Sequence, residues 1–193
     1  MKVSVSSRGT ETAADSTGLP TGVPQLSLRI VMATYDDAVA DFLAQKRIAV
    51  AGVSRSPGAA ANFVFRKLRA VGHEVYAVNP AAEMLEGGPC YRDLASIPGG
   101  VTAVVVMTPP QAAEGIVRDC ASLGINRVWL HRTLGSGSSS EAAVRAAAQA
   151  KITLIPAGCP AMFCEPDLAH RCFRWCLKVT GRIPVQLQTS AHG

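Results

Sequence analysis

From residue 34 onward, apolar residues alternate between two periods. Short apolar runs, several of them rich in β-branched residues, read as buried strands at Arg47–Val53, Glu74–Asn79, Val101–Thr108, Arg127–His131 and Ile152–Ile155. Between them lie stretches at helical spacing. Thr34 can cap a helix running to about Gln45, with Asp36 and Asp37 in its first turn and Val39, Phe42 and Leu43 as its apolar stripe. A second helix is expected over Asn62–Ala70, with Phe63, Leu68 and Val71 inward and Gly72 as its stop. A loop holding Gly87, Gly88 and Pro89 precedes the third strand. Pro109–Leu123 opens on proline and ends before Gly124, as helices do. Ser139–Ala150 and about Pro166–Thr180 complete the helices.

Strands alternating with helices of this length make βαβ units. The expected fold class is α/β: a Rossmann-like, doubly wound parallel sheet of about five strands in a single domain, with helices on both faces. No internal repeat is evident. Residues 1–31 are rich in Ser, Thr, Gly and Pro and show no period, so they read as a disordered tail, or as residues upstream of a true start at Met32. The nucleotide-type domain is expected over 32–156. Residues 157–193 are expected to form a cysteine-rich loop and helix packed on that domain.

Composition narrows the function classes. With 48% hydrophobic and 17% charged residues, the chain has the balance of a packed domain. The longest apolar runs, Ile48–Val53 and Val101–Met107, are far short of the roughly 18 residues that cross a bilayer. The net charge of +5 is unevenly placed: residues 1–45 carry three basic and five acidic side chains, and the remainder 16 basic and nine acidic. A body at +7 attracts polyanions. Nucleic acid is disfavoured, because basic runs stop at doublets and aromatics are only 5%. The N-terminus lacks the apolar segment of a secretory signal, so a cytoplasmic location is expected and the six cysteines are expected as thiols. A homo-oligomer is compatible with the sequence.

In an open parallel sheet, ligands bind beyond the carboxyl ends of the strands. Those ends carry Gly52-Val53-Ser54-Arg55-Ser56-Pro57-Gly58, then Asn79-Pro80, Thr108-Pro109-Pro110, His131-Arg132 and Gly158-Cys159. The first turn joins a strand to a helix start, which is an anion site by construction. Yet Ser54 stands where G-x-G-x-x-G has its second glycine, and Asn79 where a dinucleotide site has an acid for the ribose. Both departures disfavour a nicotinamide or flavin cofactor.

The segments GVSRSPGAAANFVFRKLRAVGHEVYAVNP and MTPPQAAEGIVRDCASLGINRVWL resemble the CoA-binding domain family, related to the CoA-binding domain of the succinyl-CoA synthetase alpha subunit. The resemblance covers about Asp36 to Pro156. It implies coenzyme A or an acyl-CoA as ligand. Gly52, Val53, Ser54 and Ser56 would face the phosphates, with Arg55 as their charge partner. Asn79 and Pro80 would line the nucleotide wall, and Thr108, Pro109 and Pro110 the far side. His131 ends a strand at the same mouth and is a further candidate contact. The synthetase carries a phosphorylated histidine in a second domain, and none of His73, His131 or His170 matches that motif. With no catalytic carboxylate pair or Ser-His-acid set apparent, a non-catalytic carrier, sensor or redox role is expected. Glu165 and Asp167 read as capping or first-turn acids.

Two alternatives remain. One is an NAD(P)-dependent enzyme of the same fold. The other is a metal-binding interaction module built on Cys159, Cys164, Cys172 and His170, although the spacing is unlike common zinc sites. Cys172 and Cys176 share a helix face with Phe173 or Trp175 nearby, and buried thiols are the plain reading. Cys159, following Gly158 at a strand end, could react with the CoA thiol if its pKa were lowered.

Overall fold

The computed structural model describes residues 34–133, 137–166, 168–184 and 187. The expectations for residues 1–31 and Met32, for Asp167 and for the side chain of Phe173 lie outside the described residues. The first helix, α1 (Tyr35–Leu43), starts as its sequence directs: the Thr34 hydroxyl accepts from the Asp37 amide while the Asp37 carboxylate accepts from the Thr34 amide. Strand β1 (Arg47–Ala51) follows, then α2 (Ala60–Ala70) and β2 (Glu74–Val78). Next come two short strands, β3 (Met84–Leu85) and β4 (Gly88–Tyr91). The remainder alternates regularly: β5 (Ala103–Val106), α3 (Pro110–Ser122), β6 (Arg127–Leu130), α4 (Glu141–Gln149) and β7 (Thr153–Ile155). A 3-10 turn (Pro160–Met162) leads into α5 (Leu168–Val179).

The strands form one sheet in the order β3-β4-β2-β1-β5-β6-β7, parallel except for the β3–β4 pair. The winding reverses at β1: β2 lies on one side of it and β5 on the other. The sheet therefore has seven strands rather than about five. The two extra strands come from the segment expected as a loop. Glu86 and Gly87 both sit at positive φ, +52 and +76, the hand that a tight hairpin requires. Gly88 and Pro89 have little intrinsic strand preference. They become strand by pairing with β3, Gly88 opposite Leu85 and Pro89 opposite Met84, while β4 adds to the edge of β2 through Cys90 with Ala77 and Tyr91 with Val78.

Alternation along the strands splits the core between two faces. Ile48 and Val50, with Val105 and Trp129, pack with α1, α2 and α5 through Phe42, Val64, Phe65, Leu68 and Leu177. Ala49 and Ala51, with Val104, Val106, Val128 and Leu130, pack with α3 and α4 through Ala113, Val117, Cys120, Ala143 and Ala147. Both faces are covered, which is why these strands read as continuous apolar runs. Phe63 departs from expectation. It is 40% exposed and stacks on His170, with ring centroids 5.6 Å apart. Position 63 lies about 140° around the helix from Leu68, whereas Val64, Leu68 and Val71 recur at steps of four and three.

The C-terminal stretch joins the first face of the core through a buried tie. Tyr35 Oη donates to the Ala157 carbonyl at 2.8 Å, and Trp129 Nε1 reaches the same oxygen at 3.1 Å. Gly158 follows at φ +86, and a Cβ there would lie 2.5 Å from Tyr35 Oη. Gly158→Ala is therefore expected to cost about 2 kcal/mol or more. Tyr35→Phe alone should cost about 1 kcal/mol. The double variant should lose about 1 kcal/mol less than the sum, because removing the hydroxyl removes the clash. Denaturant unfolding of the four proteins checks this; strict additivity would show that the two groups do not meet.

Candidate ligand site at the strand switch

Strands β1 and β5 end side by side at the point where the winding reverses. Gly52 holds φ +104, and a Cβ on it would lie 2.8 Å from the Met107 carbonyl oxygen and 3.1 Å from the Thr108 amide nitrogen. The glycine is thus required by the neighbouring backbone, not only by a ligand. Its own amide donates to the Val78 carbonyl at 2.9 Å.

The turn that follows is held from α2. Asn62 is 2% exposed and brackets Ser54: its Oδ1 accepts from the Ser54 amide at 2.8 Å and its Nδ2 donates to the Ser54 carbonyl at 2.7 Å. The Ser54 hydroxyl accepts from the Ser56 amide at 3.1 Å. The backbone of Ser54 and the amide of Ser56 are therefore already engaged. The amides of Val53, Arg55 and Gly58 find no protein acceptor among the described residues. The side chains of Arg55 and Ser56 stand exposed on the loop.

Asn79 faces inward. Its Nδ2 donates to the Val53 carbonyl at 2.8 Å, and its Oδ1 accepts from the Ala81 amide at 2.8 Å. The side chain ties the β1 and β2 turns together. Pro80 lies at the rim of a depression of about 800 Å3 that extends along the ends of β2 and β4 to Tyr91, Arg92 and Ser96.

On the other side of the switch, Thr108 Oγ1 is buried without a hydrogen-bond partner among the described residues. Pro109 caps α3, and Pro110 occupies its first turn. Ser138, 2% exposed, gathers this end of the sheet: its hydroxyl donates to the Thr108 carbonyl at 2.6 Å and its amide to the His131 carbonyl at 2.8 Å. His131 is partly buried, and that burial lowers its pKa below the ordinary histidine value, so its imidazole is neutral at pH 7.

The helix starts differ in a telling way. The α1 and α4 N-termini are capped by the hydroxyls of Thr34 and Ser140. Those of α2 and α3, which follow the two strands at the switch, have Ala59 and Pro109 at the cap and no side-chain hydrogen bond. Asn62 and Ala112 bond back to the cap carbonyls of Ala59 and Pro109, and Pro110 has no N–H, so among the described residues the amides of Ala60, Ala61 and Gln111 are the first-turn donors left to this edge.

Sequence reasoning did not single out Asn62, Glu86 or Ser138. Asparagine early in a helix and a glutamate at a hairpin turn were weak signals, because each acts on a partner distant in sequence. Glu86 is the more unusual. It holds φ +52, where an L-residue costs roughly 1–2 kcal/mol and where Gly, Asn or Asp is favoured.

Among the described residues, no three of His, Cys, Asp and Glu come together as a metal site. Burial pushes the thiols of Cys159 and Cys164 up to about 11 and that of Cys120 up to about 12. Cys159 thus stays protonated at neutral pH, the opposite of what attack on another thiol requires. Cys172 and Cys176, expected as part of a buried face, are instead exposed, as is Trp175. Iodoacetamide at neutral pH should alkylate these two first, and the four buried cysteines only on unfolding; peptide mass mapping checks it. Alkylation of Cys159 as fast as Cys172 would contradict the burial described.

Comparison with known proteins identifies relatives of the chain. Residues 46–165 match the family model described as CoA binding domain. The acetate–CoA ligase (ADP-forming) I of Archaeoglobus fulgidus is 33% identical over 75 residues, which is 39% of this chain but only 11% of the ligase. A hypothetical protein from Pyrococcus horikoshii OT3 superimposes with a TM-score of 0.61 at 26% identity, covering 67% of this chain and 91% of that one. The cell-free protein ID.343 from Thermus thermophilus does so at 0.55 and 28% identity, covering 63% and 90%. With its sheet, its switch-point turns and well over half its length matched, the chain belongs to the CoA-binding domain family.

Proposed function

We propose that this protein binds coenzyme A or an acyl-CoA across the switch-point edge, in a non-catalytic carrier, sensor or redox role. The observation that carries this reading is the pair of uncapped helix starts, α2 and α3, flanking a loop with amides to spare. Val53 is fully buried, so the diphosphate would sit against the amides of Arg55 and Gly58 and the first turn of α2, with the Arg55 guanidinium nearby. The adenosine end would extend past Pro80 into the depression beside Arg92. The pantetheine arm would run over Thr108 and Pro109 toward His131, where Thr108 Oγ1 offers an unmet hydrogen bond.

The inward turn of Asn79 supports CoA over a nicotinamide dinucleotide. The Val53 carbonyl needs a donor from position 79. A carboxylate, which NAD sites use for the ribose hydroxyls, cannot donate there. The basic body adds attraction for the additional 3′-phosphate of CoA. The thiol of a bound CoA would meet no activated cysteine, since Cys159 is held protonated.

Titration calorimetry with CoA, dephospho-CoA and NAD tests the reading. CoA should bind about tenfold or more tightly than NAD, a difference of about 1.4 kcal/mol. Arg55→Ala should weaken CoA roughly fivefold, about 1 kcal/mol, without changing the melting temperature. Binding of NAD with no measurable binding of CoA would overturn the proposal.

A further inference from the structure

The β3–β4 hairpin lies outside the loop that faces the ligand, yet one of its side chains controls both ends of that loop. Glu86 Oε1 accepts from Asn62 Nδ2 at 2.7 Å, and Asn62 in turn brackets the backbone of Ser54. The same carboxylate accepts two bonds from Arg66 Nη1, at 2.8 and 2.9 Å. Arg66 Nη2 then donates to the Pro57 carbonyl at 3.1 Å. One carboxylate thereby reaches Ser54 through Asn62 and Pro57 through Arg66. The Glu86 carbonyl is held as well, by Arg69 Nη1 at 3.1 Å.

We infer that Glu86 is a positioning residue for the 54–57 loop: it anchors the Asn62 amide and the Arg66 guanidinium in place, and so the shape in which the loop meets an anionic ligand. The ligand identity rests on the function proposed above; the hold on the loop does not. The Asn62 side chain is the pivot. Its Nδ2 carries two hydrogens, one given to Ser54 and one to Glu86, and only this orientation leaves Oδ1 facing the Ser54 amide. A flip would set donor against the Ser54 amide and acceptor against its carbonyl, so the Ser54 bracket selects this orientation, and the Glu86 carboxylate anchors it by taking the second Nδ2 hydrogen. The residue type argues the same way. A turn at positive φ is easiest for glycine, so a glutamate there breaks a local rule, and such breaks concentrate where a side chain has a function. Burial raises the pKa of Glu86, but the bonds from Asn62 and Arg66 and the charges of Arg66 and Arg69 outweigh it and hold the carboxyl below its usual value. It is therefore ionised at neutral pH, as two-sided anchoring requires.

Glu86→Gly separates this role from a merely structural one. Glycine suits the turn better, so the variant should keep or raise the melting temperature. It should nonetheless weaken CoA by roughly tenfold and speed hydrogen exchange at the Ser54 amide by roughly tenfold or more. Glu86→Gln keeps one acceptor and should recover part of both effects. A Glu86→Gly protein with parental CoA affinity and parental Ser54 protection would overturn the inference. If the parent itself binds no CoA, the function proposed above fails, while the Ser54 exchange rate still decides whether Glu86 holds the loop.

Discussion

Where β1 and β5 end, two backbones approach so closely that position 52 has no room for a side chain. A Cβ there would sit 2.8 Å from the Met107 carbonyl oxygen. Everything at the binding edge depends on that approach. It brings the turn after β1 against the turn after β5, and it sets the starts of α2 and α3 on either side of one opening. It also explains why the chain can dispense with the second glycine of a dinucleotide fingerprint. Ser54 is accommodated because its backbone is received by Asn62 from α2, so the turn is shaped by a side-chain clamp instead of by backbone permissiveness.

A division of labour among polar groups follows. Several groups that look from the sequence like ligand contacts are spent inside the protein. Asn79 joins the two turns, the Ser54 backbone is paired, and the carbonyls of Thr108 and His131 are both taken by Ser138. This internal satisfaction makes the edge rigid, since buried polar groups with partners fix their surroundings. What is left over is selective: backbone donors on the first turn, two uncapped helix starts, one unmet threonine hydroxyl and an exposed arginine. Nearly all of these are donors, and they suit a ligand rich in phosphate oxygens and amide carbonyls. Burial raises the pKa of the Cys159 and Cys90 thiols above the ordinary cysteine value.

The sequence made β1, β2, β5, β6 and β7 and the helices between them legible, because burial forces apolar runs in the strands, with the helix starts and stops marked by Thr34, Pro110, Gly72 and Gly124. It did not reveal β3 and β4. β4 exists through pairing with β2 and β3 through pairing with β4, and Gly88-Pro89-Cys90 carries no strand signal of its own. The Phe63 error was one of phase within a correctly placed helix. At the site, the strand-end turns could be located from the order of elements alone, but which atoms face outward could not. Asn79 and Ser54 turn inward because of partners 26 and eight residues away. Glu86 acts across 24 residues on Asn62, a link with no local pattern.

The central claim is that CoA lies along the switch-point edge, over the start of α2. Amide chemical-shift mapping during a titration with CoA tests this most directly. The account predicts that the largest shifts fall on residues 53–61, with further shifts at 80–83, 91–93 and 108–112. Shifts confined to α5, or to the opposite ends of the strands near residues 97–102 and 124–127, would contradict it.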